Sequence, residues 1–136
     1  MRILIVEDDL LIAVALADCL EREGHEVMGP AATAAEAIAL CGAALPALAL
    51  VDINLRDGSN GVILARSLVE RWGLAVIFAS GQQVEARQAR DVALGHLCKP
   101  YDAETVLRCI EVAGDVRDGR QPRGSPPGFE AFFGAD

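Results

Sequence analysis

The chain alternates short runs of uninterrupted aliphatic residues with longer stretches in which apolar positions recur every three or four. Ile3-Leu4-Ile5-Val6 is a continuous branched run, the pattern of a strand covered on both faces. From Leu10 to Glu23 the spacing is helical, with Asp9 placed as N-cap and Gly24 as C-cap. This helix is apolar nearly all round at its start. The stripe Leu10, Val14, Ala17 and Leu20 is expected to face a sheet, leaving Ile12, Leu16 and Cys19 to be covered by something else. His25 to Gly29 reads as a second strand ended by Pro30. Thr33 and Glu36 have capping-box spacing and open a helix running to about Gly42.

A third apolar run, Leu48 to Val51, stops at a single carboxylate, Asp52, with Gly58 and Gly61 following. Asn60 to Trp72 has Val62, Ala65, Leu68, Val69 and Trp72 at helical spacing, and Gly73 stops it. Ala75 to Phe78 is a fourth buried run leading to Ser80-Gly81. Val84 to about Val92 is weakly helical and poor in large apolar residues, so it is expected to be loosely held. His96-Leu97-Cys98 forms a brief fifth strand before Lys99-Pro100, and the last helix runs from Asp102 to Ala113. Strand then helix, repeated five times with short connections, predicts an α/β domain with a parallel sheet, helices on both faces and right-handed crossovers.

Composition narrows the function. At 136 residues the chain is one domain's worth, and 52% hydrophobic with 4% aromatic content means a core of Ala, Leu, Val and Ile. A net charge of −8 without a clustered basic face argues against nucleic acid as a partner. No window is apolar for long enough to span a bilayer, and the N-terminal run is too short for a signal peptide. Cys19, Cys41, Cys98 and Cys109 lack any CxxC pairing and read as small hydrophobes in a reducing cytoplasm. After Gly114 the chain turns to Arg, Gly, Pro, Ser and Gln, a linker or disordered composition. The tail 115–136 then carries Phe129, Phe132 and Phe133 at spacing that one helical turn would place on one face.

The chemistry gathers at strand ends. Glu7 and Asp8 close the first strand, Asp52 the third and Lys99 the fifth, with Ser80 just past the fourth apolar run. In a parallel sheet all of these ends lie on one edge. If the first and third strands are neighbours, three carboxylates crowd together, and mutual repulsion raises their pKa values unless a cation intervenes. Oxygen ligands of this kind suit Mg²⁺, and a metal beside a carboxylate and a lysine makes a site for receiving a phosphoryl group.

These residues, Ile3-Leu4-Ile5-Val6-Glu7-Asp8, Val51-Asp52-Ile53-Asn54-Leu55 with Gly58 and Gly61, Ala79-Ser80-Gly81 and Lys99-Pro100-Tyr101, strongly resemble the receiver domain of two-component response regulators over residues 1–114. The resemblance implies a flavodoxin-like doubly wound (βα)5 fold with a parallel five-stranded sheet in the order 2-1-3-4-5. It implies Asp52 as phospho-acceptor, Mg²⁺ held by Asp8, Asp52, the Asn54 backbone carbonyl and Glu7 through water, Ser80 bonding the phosphoryl group, and Lys99 pairing with it. The family's cis peptide corresponds to Lys99-Pro100. Phe78-Ala79-Ser80-Gly81 is similar to the sub-family with a Phe-Ala-Thr/Ser-Gly-aromatic signature, although Gln82 stands where the aromatic is expected. His96 replaces the aromatic switch residue three positions before the lysine, so Ser80 and His96 are the candidate switch pair; the alternative reading of His96 is a partly exposed strand-end histidine with no special role.

The expected activity is phosphoryl transfer from a sensor histidine kinase or a histidine phosphotransfer protein onto Asp52, with the signal passed on by protein contact or through a homodimer. It is a self-phosphorylating acceptor rather than a turnover enzyme, and the short tail predicts no output domain. A receiver-shaped adaptor that is never phosphorylated is the rival reading. A haloacid-dehalogenase-type phosphatase would place a second Asp where Asn54 stands, and no GxxxxGK loop supports a nucleotide site.

Overall fold

In the computed structural model, which describes residues 1–133, the apolar runs lie side by side as the centre of one sheet. The elements are β1 (Arg2–Val6), α1 (Leu10–Arg22), β2 (Glu26–Ala31), α2 (Ala34–Ala43), β3 (Leu48–Val51), α3 (Gly61–Trp72), β4 (Ala75–Ser80), α4 (Gln83–Gln88), β5 (Gly95–Cys98), α5 (Ala103–Arg117) and β6 (Phe129–Ala131). The sheet order is β2-β1-β3-β4-β5-β6, with the first five strands parallel. This is the doubly wound flavodoxin-like arrangement.

Successive residues of a strand point to opposite faces, and both faces are buried here. Leu4, Val6, Ala49, Val51, Val76 and Phe78 pack with Ala37, Cys41, Leu64, Ala65 and Leu68 of α2 and α3, and Ala86 of α4 joins them. On the opposite face Ile3, Ile5, Leu48, Leu50 and Ile77 meet Leu16 and Leu20 of α1 and Val106, Cys109 and Ile110 of α5. Asp9, Thr33, Asn60 and Asp102 cap α1, α2, α3 and α5 by accepting from free first-turn amides. Gly73 closes α3 in the left-handed conformation at φ 66°, where a side chain would be strained.

Several expectations are corrected. The inward stripe of α1 is Ala13, Leu16 and Leu20, whereas Leu10 and Val14 are exposed. Both series have helical spacing, and a helix apolar all round does not declare which face is covered. β2 continues through Pro30 to Ala31, with Gly29–Pro30 cis, because an edge strand tolerates a missing amide. α4 ends at Gln88, and α5 runs beyond Gly114 to Arg117. The sheet has a sixth strand: Phe129–Ala131 pairs antiparallel with β5, so the Phe129, Phe132, Phe133 segment is not a helical turn. Phe129 reaches its place because Gly95 has no side chain in the way. The tail positions 134–136 lie outside the described residues.

All four cysteines are free thiols, and burial pushes the Cys109 thiol up to about 12, which keeps it protonated and inert. Among the described residues no helix is long and apolar enough to cross a membrane.

Candidate functional site

The register of the central strands builds the site. Val6 of β1 lies opposite Val51 of β3, so the residues that follow, Glu7-Asp8 and Asp52, emerge side by side. The Asp52 amide donates to the Val6 carbonyl at 2.9 Å, extending the ladder one step beyond the strand ends. One carboxylate oxygen each from Glu7, Asp8 and Asp52 falls within 4.8 Å of the others. β4 brings Ser80 to the same edge, and β5 brings Lys99, whose amide donates to the Ser80 carbonyl at 3.0 Å.

Behind Asp52 the loop folds back on itself. The Gly61 amide donates to the Ile53 carbonyl at 2.7 Å, and Asn54 bridges to Asn60. A Cβ at position 61 would overlap the Asp52 carbonyl oxygen, so the start of α3 can approach the acid only with glycine there. Asn54 is exposed at the mouth of the site.

The carboxylates are not left unpaired. Lys99 Nζ lies 2.5 Å from Glu7 Oε1 and 3.1 Å from Asp52 Oδ2. The second oxygen of Asp52 accepts from the Ile53 amide at 2.8 Å, and that of Glu7 from the Asp9 amide at 3.1 Å. Burial raises the Glu7 carboxyl above its ordinary value and the Asp52 charge adds to this, while Lys99 and the Asp9 amide pull it down. Burial therefore leads at Glu7, and the mutual repulsion expected from the sequence is a smaller contribution. For Lys99 burial favours the neutral form, but bonds to Glu7 and Asp52 outweigh it and the ammonium is held above its ordinary value. The site carries a fixed positive charge inside an acidic pocket. The oxygen-only donor set, tight enough to share one ion, matches what a hard divalent cation such as Mg²⁺ takes.

Ser80 is fully buried, and its hydroxyl oxygen accepts from the Gln82 amide at 3.1 Å. His96 Nε2 lies 2.9 Å from the Ser80 carbonyl oxygen and 3.3 Å from Ser80 Oγ. A carbonyl can only accept, so Nε2 carries the hydrogen, and the Ser80 hydroxyl keeps its own proton for an outside acceptor. His96 is 1% exposed, which corrects the expectation of a partly exposed residue: β6 covers the edge on which it sits.

The structure thus brings Glu7, Asp8, Asp52 and Lys99 into one cluster, and sets Ser80 beside His96. Three neighbours had no role in the sequence reading. The Arg56 guanidinium donates to the Asp8 carbonyl at 3.0 Å from the loop after Asp52. Among the described residues the buried Tyr101 hydroxyl has no hydrogen-bond partner, and burial with the nearby Glu7 charge pushes it up to about 12, so it stays protonated at neutral pH. Arg87 of α4 binds Glu130 of β6. Tyr101 stood in the Lys-Pro-Tyr run; the two arginines left no signal, being single charges on polar segments.

Comparison with known proteins points the same way as the fold. The family model for the response regulator receiver domain matches residues 3–111. The transcriptional regulatory protein PdtaR of Mycobacterium tuberculosis is 32% identical over 117 residues, which cover 82% of this chain and 56% of PdtaR. The chain therefore spans a little over half the length of that relative. Protein PilH of Pseudomonas aeruginosa is 33% identical over 115 residues, covering 80% of this chain and 93% of PilH. A crystal structure of a CheY-like response regulator receiver domain protein from Methanospirillum hungatei superposes with a TM-score of 0.77 at 33% identity, over 87% of this chain and 96% of that one.

Proposed function

Because the chain belongs to the response regulator receiver domain family, we propose that it accepts a phosphoryl group on Asp52 from a phosphohistidine donor and signals by protein contact. The observation that carries this reading is the Asp52 carboxylate, nearly covered, with an ammonium 3.1 Å away and two further acids beside it. One Asp52 oxygen bonds to phosphorus as the P–N bond of the donor breaks, and the electron pair returns to the donor's ring nitrogen. Lys99 offsets the charge on the transferring oxygens, and the Ser80 hydroxyl donates a hydrogen bond to one of them. Glu7, Asp8 and Asp52, with the Asn54 backbone carbonyl, would hold Mg²⁺. When bound, that ion supplies a Lewis acid that neutralises charge on the phosphoryl group. The Ile53 amide on Asp52 Oδ1 and the Gly61 approach fix the direction of the acid without being consumed.

The donor class is a sensor histidine kinase or a histidine phosphotransfer protein, in the cytoplasm, with a homodimer as one form of output. The receiver reading covers residues 1–114. Incubation with acetyl phosphate and Mg²⁺ followed by intact mass tests the central claim. A phosphoryl-sized gain in the wild type and none in Asp52→Asn is the expected result. No gain in the wild type, or an equal gain in the variant, refutes it and favours the unphosphorylated adaptor.

A further inference from the structure

Without β6, β5 would be the sheet edge, presenting unpaired main-chain groups. Residues 128–132 fill that edge: the Cys98 amide donates to the Gly128 carbonyl at 2.9 Å, and the Phe132 amide to the Leu94 carbonyl at 2.8 Å. The fit extends to side chains. A Cβ at Gly95 would collide with the Phe129 ring and would stand 2.6 Å from the Glu130 carbonyl oxygen. Arg87 Nε reaches the two Glu130 carboxylate oxygens at 2.8 and 3.1 Å, and the Arg90 guanidinium stands 5.8 Å from the Phe132 ring centre. β5, α4 and β6 together line an open, shallow cleft of about 210 Å³ that includes Gln83, Arg87, His96, Cys98, Phe129 and Glu130.

This strand is anchored chiefly by the buried Phe129 ring, while Ala131, Phe132 and Phe133 are only partly buried. It has three residues, it is reached through 118–128 without a regular element, and its ion pair to α4 is about half exposed. α4 itself has six residues and no side-chain cap at its N-terminus. Short, peripheral elements of this kind open at a small fraction of the global unfolding free energy. They are also tied to the chemical site. His96 pairs with Glu130 on one side and with Phe78 of β4 on the other, and its ring holds the Ser80 carbonyl and hydroxyl.

We propose that β5 and α4 form a strand-accepting surface on which β6 is a displaceable occupant, and that drawing the Ser80 hydroxyl toward a phosphorylated Asp52 loosens β6. The freed edge then takes an extended segment of a partner protein that carries an aromatic residue followed by a carboxylate. That chemistry is read from β6 itself: a ring for the gap over Gly95, an acid for Arg87, and main-chain bonds to β5. The inference rests on Asp52 being the phospho-acceptor.

The test combines hydrogen exchange on the full chain, intact mass, and a fluorescent peptide copying residues 126–133. After a phosphoryl-sized mass gain, the amides of 128–132 exchange about tenfold faster while those of α3 are unchanged, and the peptide binds more tightly. Asp52→Asn shows neither change. Glu130→Arg exposes the edge without phosphorylation and binds the peptide, and adding Arg87→Glu restores slow exchange through the reversed pair. Gly95→Ala, which has no room for the ring, does not bind it. A confirmed mass gain with unchanged exchange at 128–132 overturns the inference and leaves the phospho-acceptor reading standing. No mass gain overturns that reading and the coupling with it. Equal peptide binding by Gly95→Ala and Glu130→Arg overturns the assigned surface.

Discussion

Replacing Lys99 with Met keeps most of the side-chain stem and removes the ammonium that stands between two covered carboxylates. Its Nζ is 2.5 Å from Glu7 Oε1 and 3.1 Å from Asp52 Oδ2, with side-chain exposures of 21% for Lys99, 3% for Glu7 and 9% for Asp52. Removing one partner of a fully buried pair costs about 3–5 kcal/mol, and water reaching the lysine position reduces this to about 2–3 kcal/mol at pH 8. Glu7 gives the loss its pH dependence. Burial already raises its carboxyl above 4.5, and deleting Lys99 removes the main influence pulling it down. Above that ordinary value the unfolded chain ionises freely, while the folded variant must either hold a proton or bury an uncompensated charge. The loss therefore grows as pH rises from about 5 to 8. The lysine's own contribution is constant over this range, since its raised value lies above 10.5 and its stabilisation is lost only as pH rises through it. Urea unfolding of both proteins at pH 5 and pH 8 measures the difference, and melting should fall by about 3 °C for each kcal/mol. Mg²⁺ should stabilise the variant more than the wild type, because the ion no longer competes with an ammonium for the same oxygens. A loss that is equal at the two pH values, or larger at pH 5, refutes the account.

Gly61→Ala should disturb Asp52 from behind, since its Cβ would overlap the acid's carbonyl oxygen. The expected cost is about 2–4 kcal/mol by thermal melt, with a slower phosphoryl gain from acetyl phosphate; unchanged stability shows that the loop has room the structure does not give it. His96→Leu removes the bond from Nε2 to the Ser80 carbonyl, which still accepts from the Lys99 amide at 3.0 Å, so the expected loss is about 1 kcal/mol by urea titration. A loss above about 3 kcal/mol means that this carbonyl depends on the histidine for its pairing.

The strands were legible because a strand covered on both faces is written as an unbroken aliphatic run, and Ile3 to Val6 and Leu48 to Val51 are such runs. The acids at their ends were legible for a related reason: charge following a buried run must lie at the sheet's edge. The orientation of α1 was not, because Leu10, Val14 and Leu11 are as apolar as Ala13, Leu16 and Leu20, and only the finished packing shows which set is covered. β6 was hidden for a different cause. A three-residue strand shows no period, and its seat is marked by a glycine, which carries no hydrophobic signal. The Phe129, Phe132 and Phe133 spacing pointed to a helix that main-chain pairing with β5 overrides.

His96 shows how these two kinds of legibility meet. From its neighbours in sequence it stands at the start of a short strand with little to hide it, and nothing nearby predicts burial. The strand that pairs beside it, through Glu130, lies more than thirty positions along, and its ring partner is Ser80 on the adjacent strand. The Ser80 carbonyl accepts both the His96 ring N–H and the Lys99 amide, so a single peptide group touches the acidic cluster on one side and the β6 edge on the other. A phenylalanine at position 96 would fill space without bonding that group. The histidine instead ties the Ser80 hydroxyl and carbonyl to β5, the strand on which β6 is paired.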